Sequence, residues 1–190
     1  MRVLQERILK DGRIYPDNIL KVDSFLNHQV DASLLKEIGL EFRKLYEGTE
    51  VTKILTIEAS GIGIAAFTAD AFGCPMLFAK KTQTKNISSE VYTAKVMSYT
   101  HGKVYDIIVS KEFLHKGDKV LIVDDFLANG AALEGLISLV KQAGATLVGC
   151  GIVIEKGFQG GGDRLRSQGV RVESLAIIDE MTDTSIQFRQ

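Results

Sequence analysis

The chain has 190 residues, 45% apolar and 25% charged, a composition that excludes a disordered or fibrous protein. Its 23 basic and 24 acidic residues leave a formal net charge of −1, which excludes general attraction to nucleic acid or to a membrane surface. Any anion must be held by a local arrangement, and the length predicts one domain, 1–190, that buries roughly two-thirds of its unfolded surface.

The opening "MRVLQERILKDGRIYPD" is charged throughout and lacks the apolar core of a secretory signal. No run elsewhere reaches membrane-spanning length, so a cytoplasmic protein is expected. Residues 1–30 fall outside the pattern that follows and read as an appendage. "DASLLKEIGLEFRKLYEG" predicts a helix: Asp31 can cap it, Leu34, Leu35, Ile38, Phe42 and Leu45 line one face, and Gly48 can end it. "TKILTIEA" predicts a strand, "SGIGIAAFTADAFG" a small-residue helix ending at Gly73, and "CPMLFAK" a short strand. From Lys80 to Ser89 the apolar pattern vanishes, leaving a lysine-bearing loop. "EVYTAKVMSY" and "YDIIVS", with His101-Gly102 between them, predict antiparallel strands joined by a turn. "KVLIVDD" is a buried strand, and the helix after it has Leu133, Leu136, Ile137 and Val140 on its face and Gly144 at its close. "ATLVGCGIVIE" is another strand, "QGGGDRLRSQG" a loop with a short helix, and "VRVESLAII" a last strand. Cys74 and Cys150 sit in apolar surroundings, as buried thiols of a reducing compartment would. Neither they nor His28, His101 and His115 have the spacing of a metal site.

Strands alternating with helices predict an α/β fold with a mainly parallel sheet, in which ligands bind beyond the carboxyl ends of the strands. The polar clusters fall at those ends: "EASG" at 58–61, "AKK" at 79–81, "DD" at 124–125 and "EK" at 155–156. The most informative stretch is "VLIVDDFLANGAA", residues 120–132. A helix opening near 129–132 leaves its first N–H groups without internal partners, at the positive end of its dipole. Ala128, Gly130, Ala131 and Ala132 let an anion approach them closely, which makes a phosphate seat. Asp124 and Asp125 would repel a phosphate, so their expected partners are donors such as vicinal ribose hydroxyls. A sugar phosphate fits the order of residues. A second stretch, "GIGIAA" at 61–66, satisfies the dinucleotide fingerprint G-x-G-x-x-[GA]. The acidic residue needed about 20 positions on is replaced by "AKKTQTK", which favours a second anion loop over a nicotinamide site.

These motifs carry a resemblance. "VLIVDDFLANGAA" resembles the phosphoribosyl-pyrophosphate (PRPP) motif of the type I phosphoribosyltransferases, "EASGIG" their pyrophosphate loop, and "AKKTQTKNISSEVYTA" their mobile catalytic loop. "LKVDSFLNHQVD", "VKQAGA" and "GIVIEKGFQ" are similar to the bacterial members that use xanthine. The resemblance implies the type I phosphoribosyltransferase fold, with 1–30 as a small hood and 80–92 as the mobile loop. It implies that Asp124 and Asp125 hold the PRPP ribose, and that Ala128, Asn129, Gly130, Ala131 and Ala132 hold its 5′-phosphate. Ala59, Ser60 and Gly61, with Lys81 and Lys85, would hold the pyrophosphate with magnesium, the metal carried by PRPP without a direct protein ligand. Leu20, Asn27 and Lys156 would contact xanthine, and Phe126 could pack on its face. A homodimer is also implied.

The chain departs from the family pattern twice. Asn129 stands where threonine is usual, as a substituted phosphate-loop donor, and Ala128 stands where the hypoxanthine-guanine enzymes carry an acidic residue. The implied reaction joins xanthine to PRPP and releases pyrophosphate. Lys156, whose ammonium donates and never accepts, would favour 6-oxo purines over adenine. Two alternatives stay open: an enzyme preferring guanine or hypoxanthine, and a PRPP-sensing regulator. The regulator should carry a DNA-reading module or a basic face, and neither is evident.

Overall fold

The computed structural model describes residues 1–81, 90–98 and 103–190. The chain begins with α1 (Arg2–Asp11), a small hairpin of β1 (Arg13–Tyr15) and β2 (Ile19–Lys21), and a π-helical turn at Asp23–Asn27. Then come α2 (Ala32–Leu45), β3 (Lys53–Ile57), α3 (Gly61–Phe72), β4 (Met76–Ala79) and the paired strands β5 (Val91–Ser98) and β6 (Lys103–Ser110). The second half runs through β7 (Lys119–Leu127), α4 (Ala131–Gln142), β8 (Thr146–Lys156) and a 3-10 turn at Gly157–Gln159. It closes with α5 (Gly161–Ser167), β9 (Val172–Met181) and β10 (Ile186–Phe188).

Six strands form one sheet in the order β10-β9-β8-β7-β3-β4, parallel throughout except for the edge strand β10. From β3 the chain steps outward to β4, then returns to the other side of β3 to lay down β7, β8 and β9. The order reverses between β3 and β7, so a ligand crevice opens beyond the carboxyl ends of those two strands. Residues 58–60 and 128–130 lead out of them.

Both faces of the sheet are covered, which is why its central strands are almost continuously apolar. Alternation along β7 sends Leu121 and Val123 into a core with Leu35, Ile38 and Phe42 of α2 and Ile64 of α3. Val120 and Ile122 enter a second core with Leu133, Leu136 and Leu139 of α4 and with Val96 and Ile107 of the β5–β6 pair. Asp31 caps α2 as expected, accepting from the N–H groups of Ser33 and Leu34. A Cβ at Gly39 would stand 2.6 Å from the Phe67 carbonyl oxygen, so glycine is what lets α2 lie this close to α3.

Three elements differ from the sequence reading. The first 30 residues are no loose appendage, because Leu4, Ile8, Val22, Phe25 and Leu26 belong to the first core. β9 is not the last strand, since β10 pairs with it antiparallel. β7 does not stop at the aspartates but continues to Leu127, which pairs with Glu155 of β8. The expected turn at His101-Gly102, Lys85 and the 82–89 part of the lysine-bearing loop lie outside the described residues.

Candidate active site

Near the end of β7, Asp124 and Asp125 are only 6% and 8% exposed. The Asp125 N–H donates to Asp124 Oδ1 at 2.9 Å, and the Phe126 N–H to Asp125 Oδ1 at 3.0 Å. Asn27, at the end of the π-helical turn, donates from Nδ2 to Asp125 Oδ2 at 3.0 Å. Burial first, and then the neighbouring carboxylate, push the Asp124 carboxyl well above its ordinary range, with Lys81 pulling the other way. When ionised, a carboxylate so buried is a strong acceptor.

Across the crevice, α3 starts at Gly61, and the flanking Ser60 side chain makes no capping hydrogen bond. A Cβ at Gly61 would lie 2.0 Å from Thr56 Oγ1 and 3.2 Å from Asp124 Oδ1, so only glycine lets this helix end reach the acids. The Glu58 carboxylate accepts the Lys81 N–H at 2.6 Å, and Lys81 Nζ stands 5.6 Å over the Tyr105 ring. Ala59 is exposed beside them.

Residues 128–130 form the turn into α4, with Gly130 left-handed at φ 89°. A cleft of about 110 Å³ is lined there by Asp124, residues 126–133 and Ile152. In the turn, Asn129 Oδ1 accepts the Ala131 N–H at 3.1 Å, which leaves its Nδ2 as the donor expected from the motif. Behind the turn, the Gly161 N–H donates to the Ala128 carbonyl at 3.2 Å and Arg164 Nη2 to the Asn129 carbonyl at 2.7 Å.

On the neighbouring strand β8, Lys156 Nζ donates to the Asn18 carbonyl at 2.8 Å and stands 5.7 Å over the Phe126 ring. Its partial burial lowers the pKa of the ammonium. The structure thus gathers Asp124, Asp125, Phe126, Asn27 and Lys156 around one end of the sheet. Leu20 is different: its side chain is packed into the first core. Sequence reasoning placed Glu155 in a polar cluster at a strand end but missed its burial: it is fully buried and gripped by both Nη atoms of Arg166 at 2.9 and 2.6 Å, with the Ser174 hydroxyl also donating to it. It also missed Gly161 and Arg164, although three glycines beside two arginines in "GGGDRLR" hinted at a close backbone approach.

Paired acids and a glycine-opened helix thus face one crevice at a topological switch point of the sheet. Residues 22–185 match the phosphoribosyl transferase domain family, and the chain belongs to it. Within the family, the chain is similar along its whole length to xanthine phosphoribosyltransferases. That of Lachnoclostridium phytofermentans is 58% identical over 191 residues, covering 100% of this chain and 98% of the relative. Xanthine phosphoribosyltransferase 1 of Clostridium perfringens is 56% identical over 190 residues, with 100% of both chains covered. Solved adenine phosphoribosyltransferases from Rhodothermus marinus and Saccharomyces cerevisiae share the fold, with TM-scores of 0.76 and 0.74 at 22% and 21% identity. They cover 94% and 92% of this chain and 100% and 99% of their own. The mainly parallel sheet with helices on both faces is therefore the type I phosphoribosyltransferase fold.

Proposed function

We propose that the protein transfers the 5-phosphoribosyl group of PRPP to xanthine, giving xanthosine 5′-monophosphate and pyrophosphate. One observation carries the reading: the buried acids of β7 and Lys156 of β8 stand at the same end of two paired parallel strands, with the small-residue turn into α4 beside them. The names of the full-length relatives support xanthine as the acceptor.

The ribose hydroxyls donate to Asp124 and Asp125, and the 5′-phosphate rests on backbone N–H groups of residues 128–132. The pyrophosphate lies across the crevice at Ala59, Ser60 and Gly61, where the positive end of α3 and Lys81, together with Lys85, favour it. Among the described residues no group of three or more His, Cys, Asp or Glu side chains is placed to hold a metal. Magnesium would arrive on PRPP without a direct protein ligand, while Asp124 and Asp125 hold the sugar hydroxyls. When bound, the metal supplies positive charge to the leaving pyrophosphate. Lys156 exchanges the Asn18 carbonyl for a purine carbonyl, Phe126 packs on the ring, and Asn27 and Leu20 complete the base site. The purine nitrogen bonds to the anomeric carbon as the bond to pyrophosphate breaks, so no protein nucleophile is required. Residues 1–30 form the hood, the 80–92 loop keeps water from the reacting carbon, and the enzyme works in the cytoplasm as a homodimer.

The test is a panel of xanthine, guanine, hypoxanthine and adenine with PRPP and magnesium, following pyrophosphate release. Xanthine should be used with the highest kcat/KM. A higher value for guanine or hypoxanthine would replace the substrate, and no release with any purine would end the reading.

A further inference from the structure

We infer that Arg164 is a positioning residue: from behind the 128–130 turn it fixes the direction in which that turn's backbone N–H groups point. The inference rests on the reading of residues 128–132 as the seat of the PRPP 5′-phosphate.

In a planar trans peptide the carbonyl and the following N–H point in opposite directions. The Asn129 carbonyl accepts from Arg164 Nη2 at 2.7 Å, and the Ala128 carbonyl accepts from the Gly161 N–H at 3.2 Å. With both carbonyls held toward α5, the N–H groups of Asn129 and Gly130 face away from it. The cleft at the turn is lined by Asp124, residues 126–133 and Ile152 and by no residue of α5, as expected if these N–H groups face it. The turn needs such a hold. Gly130 at φ 89° has the backbone freedom to let the 129–130 peptide flip, and a flip would present a carbonyl oxygen to the anion.

The hold is itself anchored. A Cβ at Gly161 would lie 2.3 Å from the Ala128 oxygen, so α5 begins in direct contact with the turn. The next residue, Gly162, is packed on the buried Glu155 carboxylate, where a Cβ would be 2.0 Å from Oε1. Arg166 forks onto the same carboxylate. Arg164 also pairs through Nη1 with Glu134 in the first turn of α4. That pairing offsets a negative charge at the helix end where a phosphate is to sit.

The test compares Arg164→Met and Arg164→Lys with the wild type. Steady-state kinetics are read for both substrates, together with inhibition by ribose 5-phosphate, which probes the phosphate seat, and by pyrophosphate, which probes the opposite end. In Arg164→Met, the KM for PRPP and the Ki of ribose 5-phosphate should rise about tenfold, the size expected for loss of one charge-assisted bond. The KM for xanthine and the Ki of pyrophosphate should stay within about twofold, and Arg164→Lys, which can still donate to the carbonyl, should recover part of the loss. An unchanged Ki for ribose 5-phosphate, or an equal rise for pyrophosphate or xanthine, overturns the inference. Failure of the underlying reading would look different: the wild type itself would neither consume PRPP nor be inhibited by ribose 5-phosphate.

Discussion

Asp124→Asn separates what the buried acid does for a ligand from what it costs the folded chain. Burial and Asp125 hold the Asp124 carboxyl well above the ordinary carboxylate range. The folded protein therefore keeps this proton at pH values where the unfolded chain has released it. The associated stability is fully present below the unfolded value and is lost as pH rises through the raised folded one. Asparagine removes the charge and keeps an oxygen for the Asp125 N–H, which donates at 2.9 Å. Two like charges about 4 Å apart repel by about 4 kcal/mol at an effective dielectric of about 20. The Asp125 N–H first, then Lys81, already favour the charged form, and with relaxation around the site they reduce the gain to about 1–2 kcal/mol, or about 2–8 °C in Tm for a chain of this length. Thermal unfolding without ligands, followed by circular dichroism at several pH values, reads it out. The variant should melt above the wild type at pH near 8, and the gap should narrow toward acid. With PRPP and magnesium the order should reverse, since ligand at about 100 times its Kd adds about 2.7 kcal/mol to a chain that binds it. A variant that melts at or below the wild type without ligand, or a gap indifferent to pH, would refute the electrostatic reasoning.

Lys156→Ala should raise the KM for xanthine at least about tenfold, from loss of a charged hydrogen bond, and change that for PRPP far less; equal changes would remove Lys156 from the base site. Because burial lowers the ammonium's pKa, kcat/KM for xanthine should fall as pH rises through a value below that of ordinary lysine. Lys156→Arg should move this alkaline limb upward, and a limb common to both proteins would assign it elsewhere. Gly161→Ala puts a methyl 2.3 Å from the Ala128 oxygen, so the turn must shift, at about 1–3 kcal/mol of stability in a urea titration and with a higher KM for PRPP. Wild-type behaviour in both would show that α5 does not press on the turn.

How far the sequence could be read depended on range. The core of β7 and the capped helix α2 were legible because their information is local: an unbroken apolar run, and Asp31 ahead of a helical stripe. The same holds for the acids and the turn that follows them. α1 was not, since its buried Leu4 and Ile8 make a narrow stripe in an otherwise charged segment. β10, three residues long, is too short to show a period. Glu155 looked like the polar end of a strand, but its partners Arg166 and Ser174 lie 11 and 19 residues away. The bond between Asn27 and Asp125 spans 98 residues. The family resemblance placed Asn27 near the base, yet no local pattern tells that it touches an acid of β7.

Asp124 and Lys156 share a property that a surface patch of the same residues would lack: burial disfavours the charged form of each. In water, carboxylates and ammonium groups are already well solvated, and a ligand's hydroxyl or carbonyl gains little by replacing that solvent. Here the folded chain has removed the solvent beforehand and left partial substitutes, the Asp125 N–H on one acid and the Asn18 carbonyl on the lysine. In the proposed reaction a sugar phosphate and an oxopurine would bring better partners to both groups at once. The electrostatic penalty incurred on folding is thus relieved on binding, and it is relieved most by a ligand that reaches β7 and β8 together. That favours holding two substrates side by side at the switch point, where their reacting atoms can be oriented for in-line displacement. On the proposed function, their covered placement on paired strands, more than their identity, would suit these acids and this lysine to joining two molecules rather than binding one.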